Sequence, residues 1–289
     1  MRSQIRACFY AVLLAAGVAS AQAADAESQG FAGTVTFLSD YRFRGMSQNY
    51  GGPGLIADMN WTFQNGIYVG TWLANVSRNQ FQNGRGLETD VYAGYKAKPW
   101  ADSEIDVGLF QWFFPRAAFY SATLPQARRG DTKYSTLEAY AGIAWKGYSA
   151  RYSRTVGNWF GVHTPTYGGT CGMDSRGAAT ANCFSANPGS SKGSEYLEFG
   201  ANFDLGESLV LDLHLGHQWV RNYAQLNYSD YKLGLTRDFG WASVGLSLVG
   251  TNANAEFYRS APLATLQGAS SDTRLLGGHT LMLSVSKPF

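Results

Sequence analysis

Long apolar runs are missing from this 289-residue chain. Beyond its first two dozen residues no stretch approaches the roughly 18–20 consecutive apolar residues of a membrane helix, so a helical span is excluded there. Charge is scarce as well. Asp, Glu, Lys and Arg make up 15% of the residues, against about 25% in ordinary soluble domains. No basic patch exists to meet a nucleic-acid backbone. Cysteine is limited to three residues. What is abundant is aromatic side chain (15%) and glycine (34 residues), a balance that suits a lipid-facing β-barrel better than a soluble enzyme.

The first residues set the compartment. Arg2 and Arg6 precede an apolar run from Phe9 to Val18, and Ala19-Ser20-Ala21-Gln22-Ala23 follows with small residues. This is the plan of a cleaved signal peptide, too short to span, and it predicts a cut near Ala23 and a single domain over 24–289. Its removal takes Arg2 and Arg6, so 23 basic residues become 21, equal to the 21 acidic ones. Cys8 leaves with the signal. Cys171 and Cys183 remain in a secreted chain, among Gly, Ser and Asn, which predicts a loop-stapling disulfide. Two thiolates with no histidine between them do not complete a tetrahedral metal site. No cofactor or metal is expected.

Period-two segments follow one another through the rest, each closed by turn residues. They predict twelve strands, over 30–44, 54–64, 66–76, 86–98, 103–114, 133–146, 147–158, 194–205, 207–220, 227–239, 241–252 and 278–289. The links alternate. Gln64-Asn65-Gly66, Lys98–Asp102, Lys146-Gly147, Leu205-Gly206-Glu207 and Phe239-Gly240 are tight, whereas 45–53, 77–85, 115–132, 159–193, 221–226 and 253–277 are long. Short turns on one side and long loops on the other are the pattern of an outer-membrane barrel. The expected fold is therefore all-β, an antiparallel transmembrane β-barrel of about twelve strands, with short periplasmic turns and long extracellular loops.

The alternation assigns the faces. Leu209, Leu211, Leu213 and Leu215 alternate with Val210, Asp212, His214 and Gly216; Leu55, Ala57, Met59, Trp61 and Phe63 alternate with Ile56, Asp58, Asn60 and Thr62. The apolar set is expected to face lipid and the polar set the lumen. Trp61, Phe63, Trp100, Trp145, Phe239, Trp241 and Phe289 fall at the tight-turn end, and Tyr41, Phe43, Trp112, Trp219 and Tyr223 at the long-loop end. Two aromatic belts at two interfaces are expected. The chain ends on Leu281–Phe289, where Leu281, Leu283, Val285, Lys287 and Phe289 share one face. This is the form of a C-terminal assembly signal, which would pair with 30–44 and engage the barrel-assembly machinery.

The lumen is expected to hold Asp40, Arg42 and Arg44, read as one face of the first strand, with Asp58, Glu88, Asp90, Lys96, Asp106, Glu138, Arg151, Glu198, Asp212, His214 and Lys232 across the wall. A lipid-facing arginine costs about 2–4 kcal/mol at the midplane, which is why these face inward. They make either a charged constriction selecting solutes or an ion network propping the wall. Roughly eight strands leave a filled interior and roughly sixteen to eighteen an open channel, so twelve imply a narrow or plugged lumen. His214 and His217 are three apart on a strand and point to opposite faces, so they cannot chelate together. His214 shares a face with Asp212, which offers the alternative of an outer-membrane hydrolase. A closed structural or adhesive barrel is the other alternative. The long loop 159–193 either stands in solvent or folds into the mouth.

The segment Ser39-Asp40-Tyr41-Arg42-Phe43-Arg44-Gly45-Met46-Ser47-Gln48, with Asn65–Trp72 and Glu88–Tyr95, resembles the TorF family of porins. The resemblance is clearest over 30–110. It implies an outer-membrane barrel whose transported solute is not established, and no catalytic residues. The sequence reading is thus of a non-enzymatic barrel in the bacterial outer membrane, in contact with lipid, passing small hydrophilic solutes by passive diffusion. It leaves the oligomeric state open.

Overall fold

The computed structural model describes residues 30–119, 132–260 and 273–289. The expected signal peptide and parts of the loops 115–132 and 253–277 lie outside the described residues. Twelve strands close into one antiparallel barrel. They are β1 (Gly30–Leu38), β2 (Gly54–Thr62), β3 (Ile67–Asn75), β4 (Leu87–Ala97), β5 (Ser103–Trp112) and β6 (Thr136–Trp145). The others are β7 (Tyr148–Thr155), β8 (Glu195–Asp204), β9 (Leu209–Trp219), β10 (Tyr228–Asp238), β11 (Ser243–Thr251) and β12 (Thr280–Pro288). Each pairs with its neighbours in sequence, and β12 closes on β1 with Thr34 opposite Pro288 and Leu38 opposite Ser284. Closure leaves no unpaired edge, the condition for a sheet in hydrocarbon.

The tight turns explain the hairpin geometry. Between β6 and β7, Lys146 and Gly147 both have positive φ (48° and 84°), a primed turn whose twist matches that of the flanking strands. Glycine at the second position meets the left-handed requirement without a Cβ clash.

The period-two pattern divides outside from inside. Leu281, Leu215, Val91, Leu55 and Leu246 are among the most exposed large apolar residues. Their neighbours Met282, Gly216, Asp90, Ile56 and Ser247 are buried. A continuous apolar exterior over a polar interior is a lipid-facing wall. At the tight-turn end Trp61, Phe63, Trp100, Trp145, Phe239, Trp241 and Phe289 are all exposed, forming the expected interfacial girdle. Phe289 is set by Gly33. Its N–H donates to Gly33 O (3.0 Å), and a Cβ on Gly33 would lie 2.5 Å from the Phe289 ring. The ring also lies 6.0 Å from that of Phe31.

Two expectations are corrected. The second girdle is not formed by Tyr41, Phe43, Trp112 and Tyr223; these are buried inside, and of that group only Trp219 is exposed. The first strand also ends at Leu38 rather than residue 44. From Ser39 the chain leaves the wall and folds inward as a small hairpin, Arg42–Phe43 paired with Met46–Ser47. Period two continues through it, which is why it reads as strand. Yet both its faces are buried, from Asp40 to Gln48.

Candidate functional site

The infolded hairpin crosses the lumen. Its turn is Arg44-Gly45, with φ of 47° and 75°, so again a positive-φ pair with glycine second. Gly45 is pressed against the wall: a Cβ there would lie 2.9 Å from Asp230 Cβ and nearer still to Thr251 Cγ2. Asp40 organises the base. It accepts from Arg42 Nε (2.7 Å) and from Ser47 Oγ (2.6 Å), closing the segment on itself. Arg42 also donates to Gly45 O (2.9 Å) and to Gly278 O (2.5 Å). Tyr41 donates to Glu88 on β4 (2.9 Å). At the tip Arg44 forms a two-point pair with Glu138 on β6, at 2.6 and 3.0 Å, and donates to Gln218 on β9 (2.9 Å). Its guanidinium lies over the ring of Tyr196 on β8, 3.9 Å from the centroid.

The rest of the lumen is divided. One side is aromatic: Tyr68, Tyr92, Phe110, Trp112 and Tyr140 pack with Phe43 and Ile56 into one buried cluster, with Phe110 and Tyr92 stacked at 5.4 Å. The tyrosines turn their hydroxyls to carboxylates, Tyr92 to Asp58 (2.6 Å) and Tyr68 to Asp106 (2.5 Å). The other side is ionic. Lys232 pairs with Asp212. Arg151 lies 3.6 Å from Asp106 and over the Tyr140 ring. His214 Nε2 lies 2.8 Å from Asp230 and 3.1 Å from the Tyr196 hydroxyl, with Glu198 at 3.6 Å from Nδ1. Arg42, Arg44, Trp112, Glu138, Glu198 and Lys232 are among the residues enclosing a cavity of about 40 Å³.

Asp58, Glu88, Asp90, Asp106, Glu138, Arg151, Glu198, Asp212, His214 and Lys232 all lie on the inward parity of their strands. Asp40, Arg42 and Arg44 are buried there too, but on the hairpin and not on a wall strand. The Asp212–His214 pairing that a hydrolase would need is not formed. Asp212 is engaged by Lys232, and His214 by Asp230. Sequence reasoning missed Asp230, Tyr196 and Gln218. Each shares a strand face with a residue it did find (Lys232, Glu198 and His214), so extending the parity by one step, or two for Gln218, would have reached them.

Above the hairpin the long loops interlock. Loop 159–193 folds over the mouth rather than standing in solvent: Phe160 packs on Phe43 and Trp112 at 6.0 and 5.9 Å. Trp159, Val162 and Phe184 form a second cluster with Val220, Tyr223 and Leu226. Burial there pushes the Tyr167 phenol up to about 12. The Cys171–Cys183 disulfide closes a short hairpin in this loop, Cys171–Met173 with Ala179–Cys183. At its turn Asp174 accepts N–H groups of Ala178 and Arg176, each at 2.8 Å, which hold its carboxyl below the usual range. That contact is present at neutral pH and is lost as pH falls through the lowered value.

A closed antiparallel barrel, apolar outside and ion-paired within, is a transmembrane β-barrel of the outer-membrane class. The chain belongs to the family described as "Bacterial protein of unknown function (Gcw_chp)", whose model matches residues 22–289. No curated protein sequence matches it. Among solved structures it is similar to the KdgM porin (10% identity, 89% of this chain and 99% of that one, TM-score 0.47). It is also similar to the NanC porin (8%, 89% and 98%, 0.46) and to OprD of Pseudomonas aeruginosa (12%, 92% and 68%, 0.38).

Proposed function

We propose that this protein is a narrow, diffusion-type channel of the outer membrane, passing small hydrophilic solutes along a charged lumen. In this reading the 39–48 hairpin sets the bore. The observation that carries it is Arg44, which reaches from the hairpin tip to Glu138 and Gln218 on separate wall strands. A wall-propping network would need no segment brought in from a loop. Ion pairs offering donors and acceptors around a water-filled space can replace the hydration of a passing solute. The tight turns face the periplasm, and the interlocked long loops face outside.

Purified protein in planar bilayers tests this. Small, discrete conductance steps are expected, and a barrel that inserts but never conducts would sink the proposal. One observation favours a second reading, a closed structural or adhesive barrel acting through its loops: the cavity is only about 40 Å³. The same bilayer measurement separates the two.

The same proposal gives β12 to the barrel-assembly machinery through Leu281, Leu283, Val285 and Phe289, all on its outward face. Removing Phe289 deletes its hydrogen bond to Gly33 and its ring contact with Phe31. A severalfold drop in outer-membrane accumulation is expected, read by heat-modifiable gel migration of membrane fractions. Normal insertion would count against β12 as the signal.

A further inference from the structure

We infer that the seat of Arg44 is a binding site for guanidinium-bearing solutes, occupied in this closed form by the chain's own hairpin. The inference rests on the channel reading only for how a solute would reach the seat. The seat itself belongs to the wall. Glu138 comes from β6, Tyr196 from β8 and Gln218 from β9, and all three are at least 98% buried.

Gln218 and Tyr196 are held in place without Arg44. Gln218 Nε2 donates to the carbonyls of Glu195 (2.9 Å) and Trp219 (3.2 Å), which leaves Oε1 to act as acceptor. The Tyr196 hydroxyl donates to Asp230 (2.9 Å), fixing its ring as a face. Glu138 presents both carboxylate oxygens to a planar fork, at 2.6 and 3.0 Å.

A carboxylate accepting two parallel N–H bonds beneath an aromatic face fits guanidinium geometry, where an ammonium could use only part of it. A buried carboxylate whose counter-charge is withdrawn is strongly destabilising, so an opened hairpin leaves a vacancy that calls for a cation of the same shape. The nearby cations are committed elsewhere: Lys232 to Asp212, Arg151 to Asp106 and His214 to Asp230. Arg44 therefore acts as a tethered stand-in for the solute. Its high effective concentration sets the level against which a free solute must compete.

Calorimetric titration of the full chain in detergent micelles tests this, with free arginine, lysine and the uncharged isostere citrulline as probes. Arg44→Ala is expected to bind arginine about tenfold more tightly than the unaltered protein does, and at least about tenfold more tightly than it binds lysine or citrulline. Adding Glu138→Gln should abolish the preference. Equal affinity for arginine and citrulline overturns the charge recognition, and equal affinity for arginine and lysine overturns the guanidinium assignment. Arginine binding that survives Glu138→Gln overturns the site. If Arg44→Ala does not fold, hydrogen exchange of the unaltered protein decides. Arginine, and not citrulline, should speed exchange over residues 40–47, and no difference refutes the proposal. Absence of bilayer conductance would remove the channel reading and leave the binding result standing.

Discussion

Gly45→Leu should open the barrel. The glycine sits at φ 75°, with the wall against it at Thr251 and Asp230. A leucine there meets a left-handed backbone penalty and forces overpacking, together about 3 kcal/mol against the seated hairpin. That is roughly a hundredfold shift in the ratio of seated to unseated forms. The wall is untouched, since Gly45 belongs to no barrel strand. The variant should thus keep its heat-modifiable migration while its conductance in planar bilayers rises severalfold. Unchanged conductance in a folded variant would mean that the hairpin does not set the bore.

The second large effect concerns stability. Lys232 and Asp212 form an ion pair, and both are nearly fully buried. The second Asp212 oxygen, Oδ2, is buried with no hydrogen bond. Lys232→Met leaves that carboxylate without its counter-charge, at a cost of about 3–5 kcal/mol. Urea unfolding in micelles, followed by tryptophan fluorescence, should show the midpoint fall by a corresponding amount. Converting the partner as well, Lys232→Met with Asp212→Leu, should recover most of the loss, because an apolar pair of similar volume replaces two desolvated charges. A single variant as stable as the parent would show that lumen water solvates Asp212, and that the pair contributes little.

The wall was readable because lipid and lumen impose opposite demands at every step along a strand. Leu209 to Leu215 on β9 and Leu281 to Leu283 on β12 carry that signal alone, and apart from the end of β1 the strand limits follow to within a few residues. The aromatic residues were less legible. Trp61 and Trp241 at the turn end have one role available, whereas Trp112 and Tyr223 near the loops could face lipid or pack inside. They pack inside, because the loops fold back and bring their own apolar residues, such as Phe160, to meet them.

The hairpin shows the limit most clearly. Asp40, Arg42 and Arg44 continue the alternation of β1, and nothing in a period of two distinguishes a strand in the wall from one that crosses the lumen. The amino-acid order by itself determined a twelve-stranded barrel, its lipid face and its turn end, all of them set by neighbours one or two residues apart. Only the tertiary structure decided that Arg44 meets Glu138, 94 residues away, and that Gly45 stops against β10 and β11. Those contacts join positions that no local periodicity relates, and they form only once the closed wall brings β6, β8, β9 and β10 around the hairpin tip.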